Sequence, residues 1–160
     1  MKRHLKIASV AALLSLGASS MAFVWTIDNI MDGSQENPPI NTPAVGSIVG
    51  TYDDVSNMLM ITISFKDLLA PQTAAHVHRG ARGTNGGIVF DIGVGNPKDL
   101  MVTLTESQEA ELLSKLFYVN VHSTLHPGGE IRGQIEPVPE PATLMALGVG
   151  LAALAARRRN

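Results

Sequence analysis

His76 and His78 stand two residues apart in the stretch HVHRGARGTNGGIVF, and His122 closes YVNVHS downstream. Side chains two apart on a strand project to one face. If the strand ending at His122 pairs beside the one carrying His76 and His78, three imidazoles converge. Such a trio suits Zn²⁺ or Cu²⁺. The alternative is a polar ladder in which the imidazoles hydrogen-bond to Asn120, Ser123, Glu130 or backbone carbonyls, one donor and one acceptor partner each. Arg79 and Arg82 follow at once and disfavour a dication unless both point away. Both readings stay open at this level. Of the remaining histidines, His4 lies near the N-terminus and His126 sits just beyond His122.

A second constellation is acidic and basic. In GGEIRG, Glu130 and Arg132 are two apart, and Glu36 precedes the stiff Pro38-Pro39 pair. The expectation is a structural polar cluster of Glu36, Glu130 and Arg132, with a buried Arg132–Glu36 or Arg132–Glu130 pair. No spacing of these acids marks glycoside chemistry. The chain has no cysteine, which removes a thiol nucleophile, a Cys-ligated zinc and a disulfide. With no recognisable nucleophile–base set, a non-enzymatic protein is expected.

The elements that must hold these residues read as β. Short β-prone runs fall at 24–30, 46–53, 58–65, 75–78, 88–93, 100–104, 117–122 and 130–136, separated by Gly-, Pro- and Asn-rich turns. This pattern predicts a mainly β fold, an antiparallel Greek-key-like β-sandwich of about eight strands. One segment differs. Thr105 and Gln108 have capping-box spacing, and Leu112, Leu113 and Leu116 share a helical face, so a single short helix is predicted over 105–116.

The two ends read as addresses. Lys2, Arg3 and Lys6 precede an apolar run and small residues at Ser20 and Ala22, the pattern of a signal peptide over 1–22. The expected domain runs from 23 to 137. It carries thirteen acidic residues against six basic ones, which argues against nucleic acid as a partner. The whole chain, at −2, conceals this because both ends are basic. Beyond it, Pro139, Glu140 and Pro141 lead into a short apolar stretch, stopped by Arg157, Arg158 and Arg159. As a helix that stretch would span about 22 Å, short for a ~30 Å hydrocarbon core. The arginines should stay cytoplasmic, giving a weak, transient hold at the inner membrane.

The last residues, 138–160, resemble the PEP-CTERM sorting signal of Gram-negative bacteria that make exopolysaccharide. The resemblance implies an exosortase as partner, with Pro139, Glu140 and Pro141 as sorting motif and Arg157, Arg158 and Arg159 as stop-transfer. The segment 28–136 resembles the CHRD domain, named after chordin. It does so through GSQENPPINTPAVG, HVHRGARGTNGGIV and YVNVHSTLHPGGEIRGQI, although Ser123 stands where Thr is usual. That resemblance implies no agreed enzymatic activity. The His-Val-His pair also resembles one in copper–zinc superoxide dismutase, an eight-stranded sandwich. The other ligands, the disulfide and the loop carboxylate of that enzyme have no counterpart here. The expected protein is exported, tethered as a precursor at the inner membrane, then delivered to the cell surface or extracellular matrix. Its work there would be structural, adhesive or binding, with extracellular polysaccharide or another envelope protein as partner. Metal binding at His76, His78 and His122 is the alternative, and dismutase-like redox chemistry lies further off.

Overall fold

The computed structural model describes residues 23–140 and the positions 148, 149, 151, 154 and 157. The expected signal peptide 1–22, Pro141, Arg158 and Arg159 lie outside the described residues.

Eight strands follow in chain order. They are β1 (Val24–Asp32), β2 (Val45–Asp53), β3 (Met58–Lys66), β4 (Gln72–Arg79), β5 (Ile88–Asp91), β6 (Lys98–Thr103), β7 (Phe117–Ser123) and β8 (Ile131–Gln134). A two-residue β9 (Val138–Pro139) pairs with β1. The one helix of the domain, α1 (Glu106–Leu113), starts at the predicted place. Thr105 is its N-cap: the Thr105 hydroxyl accepts from the Gln108 N–H, and the Gln108 side chain accepts from the Thr105 N–H. Both satisfy amides that a helix start leaves unpaired. Leu112 anchors the helix in the core.

The eight strands form one antiparallel sheet, in the order β5-β4-β7-β8-β1-β2-β3-β6. The mainly β, antiparallel, eight-stranded expectation with one short helix stands. The layout differs from two separate sheets: this sheet is continuous and strongly curled into a half-barrel. The reason is β8, which pairs with β7 on one side and meets β1 at Asp32↔Arg132 on the other. Hydrogen bonding thus crosses the place where a sandwich would break. Strand twist, accumulated over many strands, curls such a sheet on itself.

The inside of the curl is the core. Leu59, Ile61 and Ile63 of β3 alternate inward, with Ile27 and Met31 of β1, Ile48 and Tyr52 of β2, Ala75 and Val77 of β4, and Val119 and Val121 of β7. The outside differs between the two ends of the sheet. On β3, Met60 and Thr62 face solvent. On β7 and β8 every residue is buried. There the outer face is covered by three loops, around 33–42, 80–87 and 124–129, and the predicted chemistry lies beneath them.

Candidate metal site

The register sets out this covered face. His76 opposes Asn120 and His78 opposes Tyr118 across β4–β7, while His122 opposes Ala74. Asn120 in turn opposes Arg132, and Tyr118 opposes Gln134, across β7–β8. Opposed residues and residues two apart share a face. One face of three strands therefore carries His76, His78, Tyr118, Asn120, His122, Arg132 and Gln134, back to back with the apolar core.

The three histidines meet. Their ring centroids are 5.5 Å (His76–His78), 4.8 Å (His76–His122) and 5.9 Å (His78–His122) apart. One ring nitrogen from each lies within 4.8 Å of the others. His78 Nδ1 is 2.9 Å from the Gly86 carbonyl and His122 Nδ1 is 3.0 Å from the Pro127 carbonyl. A carbonyl only accepts, so both Nδ1 atoms carry the proton and both Nε2 atoms present lone pairs. His122 Nε2 accepts from His76 Nδ1 at 3.0 Å. His78 Nε2 is buried and has no partner. On its other side His76 Nε2 faces Asp91 Oδ1 at 3.8 Å.

The electrostatics favour the neutral ring at His78 and at His122. Burial pushes the His78 pKa down against the pull of the Gly86 carbonyl, helped by the charges of His76 and Arg132. Burial does the same at His122 against the Pro127 carbonyl, helped by His76 and His78. Neutral imidazole is the form that ligates metal. The two arginines that follow His78 in the sequence point elsewhere. Arg79 pairs with Glu111 at 3.0 Å, and Arg82 pairs with Glu136 at 2.8 Å and donates to Gln35.

Arg132 is buried, and its partners differ from those expected. Its guanidinium donates to the Thr84 carbonyl at 2.8 Å and the Ala81 carbonyl at 3.0 Å, and it sits 3.4 Å above the centre of the Tyr118 ring. Neither Glu36 nor Glu130 forms an ion pair with it. The loop carbonyls above the sheet reach it first, because the 80–87 loop folds over this face. Glu130 instead accepts from the Thr42 hydroxyl and the Leu69 N–H, both at 2.7 Å. Burial raises its pKa, but those bonds and one from Ser123 outweigh it and leave the carboxyl below its usual range. Glu36 accepts a long 3.4 Å bond from Asn120, and its second oxygen is buried without a side-chain partner. Burial pushes its pKa up to about 7, against the charge of Arg132 and bonds from Asn120 and Asn37. The three residues thus belong to one covered layer without forming a pair.

Three further contributors escaped the sequence reading: Asp91 and the carbonyls of Gly86 and Pro127. Asp91 was legible in principle, since a β4–β5 hairpin places it opposite His76. The carbonyls were not, because no residue type marks them. Gly86 is glycine for a reason of space, as a Cβ there would collide with the Arg79 carbonyl. Gly129 is another close approach, with φ +127° and the Asn120 amide where a Cβ would stand.

Of the sorting residues, Pro139 lies in β9 and Glu140 donates its N–H to the Val24 carbonyl at 3.1 Å. Arg157 is helical and exposed. Among the described residues no helix is long and apolar enough to cross a membrane.

With this geometry in place, comparison with known families is informative. The model of the CHRD domain matches residues 27–135, and that of the PEP-CTERM protein-sorting motif matches residues 137–159. The second match implies an exported protein, sorted to the cell surface and processed by an exosortase. No curated protein and no solved structure matches the chain.

Proposed function

The chain belongs to the CHRD domain family, and on that premise we propose that it is a non-enzymatic structural or binding module of the cell surface or exopolysaccharide matrix. The observation that carries this is the order of its parts. A 3₁₀-turn, eight strands and one helix form a domain, and a sorting motif begins directly after it at residue 137. The domain is cargo, and its task begins once the tail is processed. Its partner is extracellular polysaccharide or another envelope protein. Its acidic surface suits an exported, non-aggregating domain. Pro139, Glu140 and Pro141 mark where processing occurs.

Intact-mass measurement on protein from the native host tests this reading. Loss of the 142–160 tail from the surface or secreted form is expected. In a host without exosortase, the chain should stay in the inner-membrane fraction with its domain outside. Secreted native protein that still carries its arginine tail would overturn the assignment.

A second reading is favoured by one specific observation, the buried and unpartnered His78 Nε2 beside the lone pair of His122 Nε2. In this reading the same exported domain binds Zn²⁺ or Cu²⁺ at His76, His78 and His122, to hold the metal or to use it.

A further inference from the structure

A buried acceptor without a donor is destabilising and uncommon in folded proteins. His78 Nε2 is such an atom: His78 is only 9 % exposed, and its Nε2 has no partner. It is also the atom an approaching cation would use. His78 and His122 each have Nδ1–H anchored on a backbone carbonyl. That outer contact is what metal-ligating histidines show, because it fixes the tautomer and aims Nε2 at the ion. Two of the three rings are thus set for metal while no metal is needed to set them.

The third ring needs one change. His76 Nδ1 donates to His122 Nε2 at 3.0 Å. Two imidazole nitrogens on one tetrahedral ion, each at about 2.0–2.1 Å, lie about 3.3 Å apart. The His76–His122 pair is already near that distance. One ring nitrogen from each of the three histidines lies within 4.8 Å of the others, so such a trio needs to contract by about 1.5 Å at most to reach the same spacing, a shift that ring rotation on fixed strands can supply. If the proton on His76 Nδ1 moves to Nε2, Nδ1 becomes a ligand. The displaced proton then points at Asp91, 3.8 Å away. The hydrogen bond between the two rings is replaced by a metal between them, and no net proton need leave.

We propose that one borderline dication, Zn²⁺ or Cu²⁺, binds through His78 Nε2, His122 Nε2 and His76 Nδ1, with Asp91 holding His76 in the ligating tautomer. The inference rests on the metal-binding reading above and deepens it by naming the ligand atoms and the outer carboxylate. Three nitrogen ligands without a thiolate suit these two ions, and three protein ligands leave a position for water or another small donor. His76 is half-buried while His78 and His122 are buried, so the ion enters on the side of His76 and Asp91. Arg132 works against a dication through its charge. Its guanidinium, however, is occupied by the Ala81 and Thr84 carbonyls and the Tyr118 ring. Asp91 is a positioning residue in this scheme and does not touch the ion.

The test is titration calorimetry of the full chain, stripped with chelator, against ZnSO₄ and CuSO₄ at pH 7.5. One saturable equivalent is expected, with a rise in melting temperature that follows ligand concentration. His78→Ala should abolish both. Asp91→Ala should weaken binding about 10–100-fold, and Asp91→Asn, which can still accept a hydrogen bond, should recover part of that loss. If His78→Ala does not fold, electron paramagnetic resonance of the Cu²⁺-loaded wild type decides. Hyperfine coupling to imidazole nitrogens supports the ligand set, and an oxygen-only signature overturns it. No saturable binding of either ion would overturn the metal reading and this inference together. Binding lost in His78→Ala but unchanged in Asp91→Ala would leave the metal reading standing and remove the role of Asp91.

Discussion

The two ends of the one sheet obey different rules. In β1, β2, β3 and β6 burial alternates: Leu59, Ile61 and Ile63 point into the core, while Met60, Thr62, Val49 and Met101 face water. This is the ordinary half-buried strand. In β7 and β8 nothing is exposed, yet the sequence still alternates, with Val119 and Val121 on one side and Tyr118, Asn120 and His122 on the other. Polar groups there are shut away from water and must find protein partners. Loop carbonyls supply most of them: Gly80, Ala81, Thr84, Gly86, Pro127 and Gly128. Among the described residues, the buried side-chain atoms His78 Nε2, Glu36 Oε1, Asn120 Oδ1 and Glu130 Oε2 lack partners and belong to this covered layer, and Trp25 Nε1 alone lies elsewhere. One end of the sheet is built for stability. The other gives up some stability to keep unsatisfied polar atoms in place, and that is where function is sought.

The sharpest way to break this contrast is to remove the residue that ties loop to sheet. Arg132→Ala leaves the Thr84 carbonyl unpaired, takes one donor from the Ala81 carbonyl, which the Thr84 N–H and hydroxyl still serve, and bares one face of Tyr118. A buried acceptor left unsatisfied costs about 1–3 kcal/mol, and the cavity left beneath the loop adds to it, so a loss of about 2–5 kcal/mol is expected. Arg132→Met, which keeps most of the volume, should still be harmful, because the Thr84 carbonyl remains unpaired. Urea denaturation followed by circular dichroism measures both. A loss under about 1 kcal/mol for Arg132→Ala would mean that water already serves the Thr84 carbonyl and that the layer is not closed.

The same contrast explains what the sequence could disclose. Strand positions followed from β-branched runs between turn residues, and the helix from Thr105, Gln108 and the leucine spacing. Both are local effects, settled within a few residues. The meeting of His76, His78 and His122 was legible because a period of two fixes shared faces. The single curled sheet was not, since it depends on β8 bonding to two neighbours at once, the second through one pair of residues. The expected Arg132 ion pair failed for a related reason. Residue type and spacing point to carboxylates, whereas its partners are backbone carbonyls brought over by a loop.

A finer probe of the covered layer is its pH response at Glu36. Burial raises the pKa of Glu36 from 4.5 to about 7, so between those values the folded chain holds a proton that the unfolded chain releases. By linkage, this group favours the fold fully below pH 4.5, and its contribution falls as pH rises through 7. Glu36→Gln stays neutral throughout. Relative to wild type, the variant should therefore gain stability as pH is raised from 4.5 to 8. Melting temperatures of both proteins across that range check it. A constant difference would show that Glu36 titrates as an exposed carboxylate, and that the loop carrying it does not seal the layer.

The smallest effect belongs to the open end of the sheet. Thr62 of β3 opposes Asp99 of β6, and its hydroxyl donates to the Asp99 carboxylate at 2.7 Å. By length alone this bond matches those of Arg132. It lies in water, however, and both partners regain solvent bonds at once when it is cut. Thr62→Ala should therefore change stability by about 0.5 kcal/mol or less, even though it also removes a β-branched residue from a strand. Measured beside Arg132→Ala in the same urea series, it separates bond geometry from burial as the source of stability. A Thr62→Ala loss approaching that of Arg132→Ala would mean that the outer face of β3 and β6 is covered in solution, by a second copy or another partner. The two ends of the sheet would then follow one rule after all.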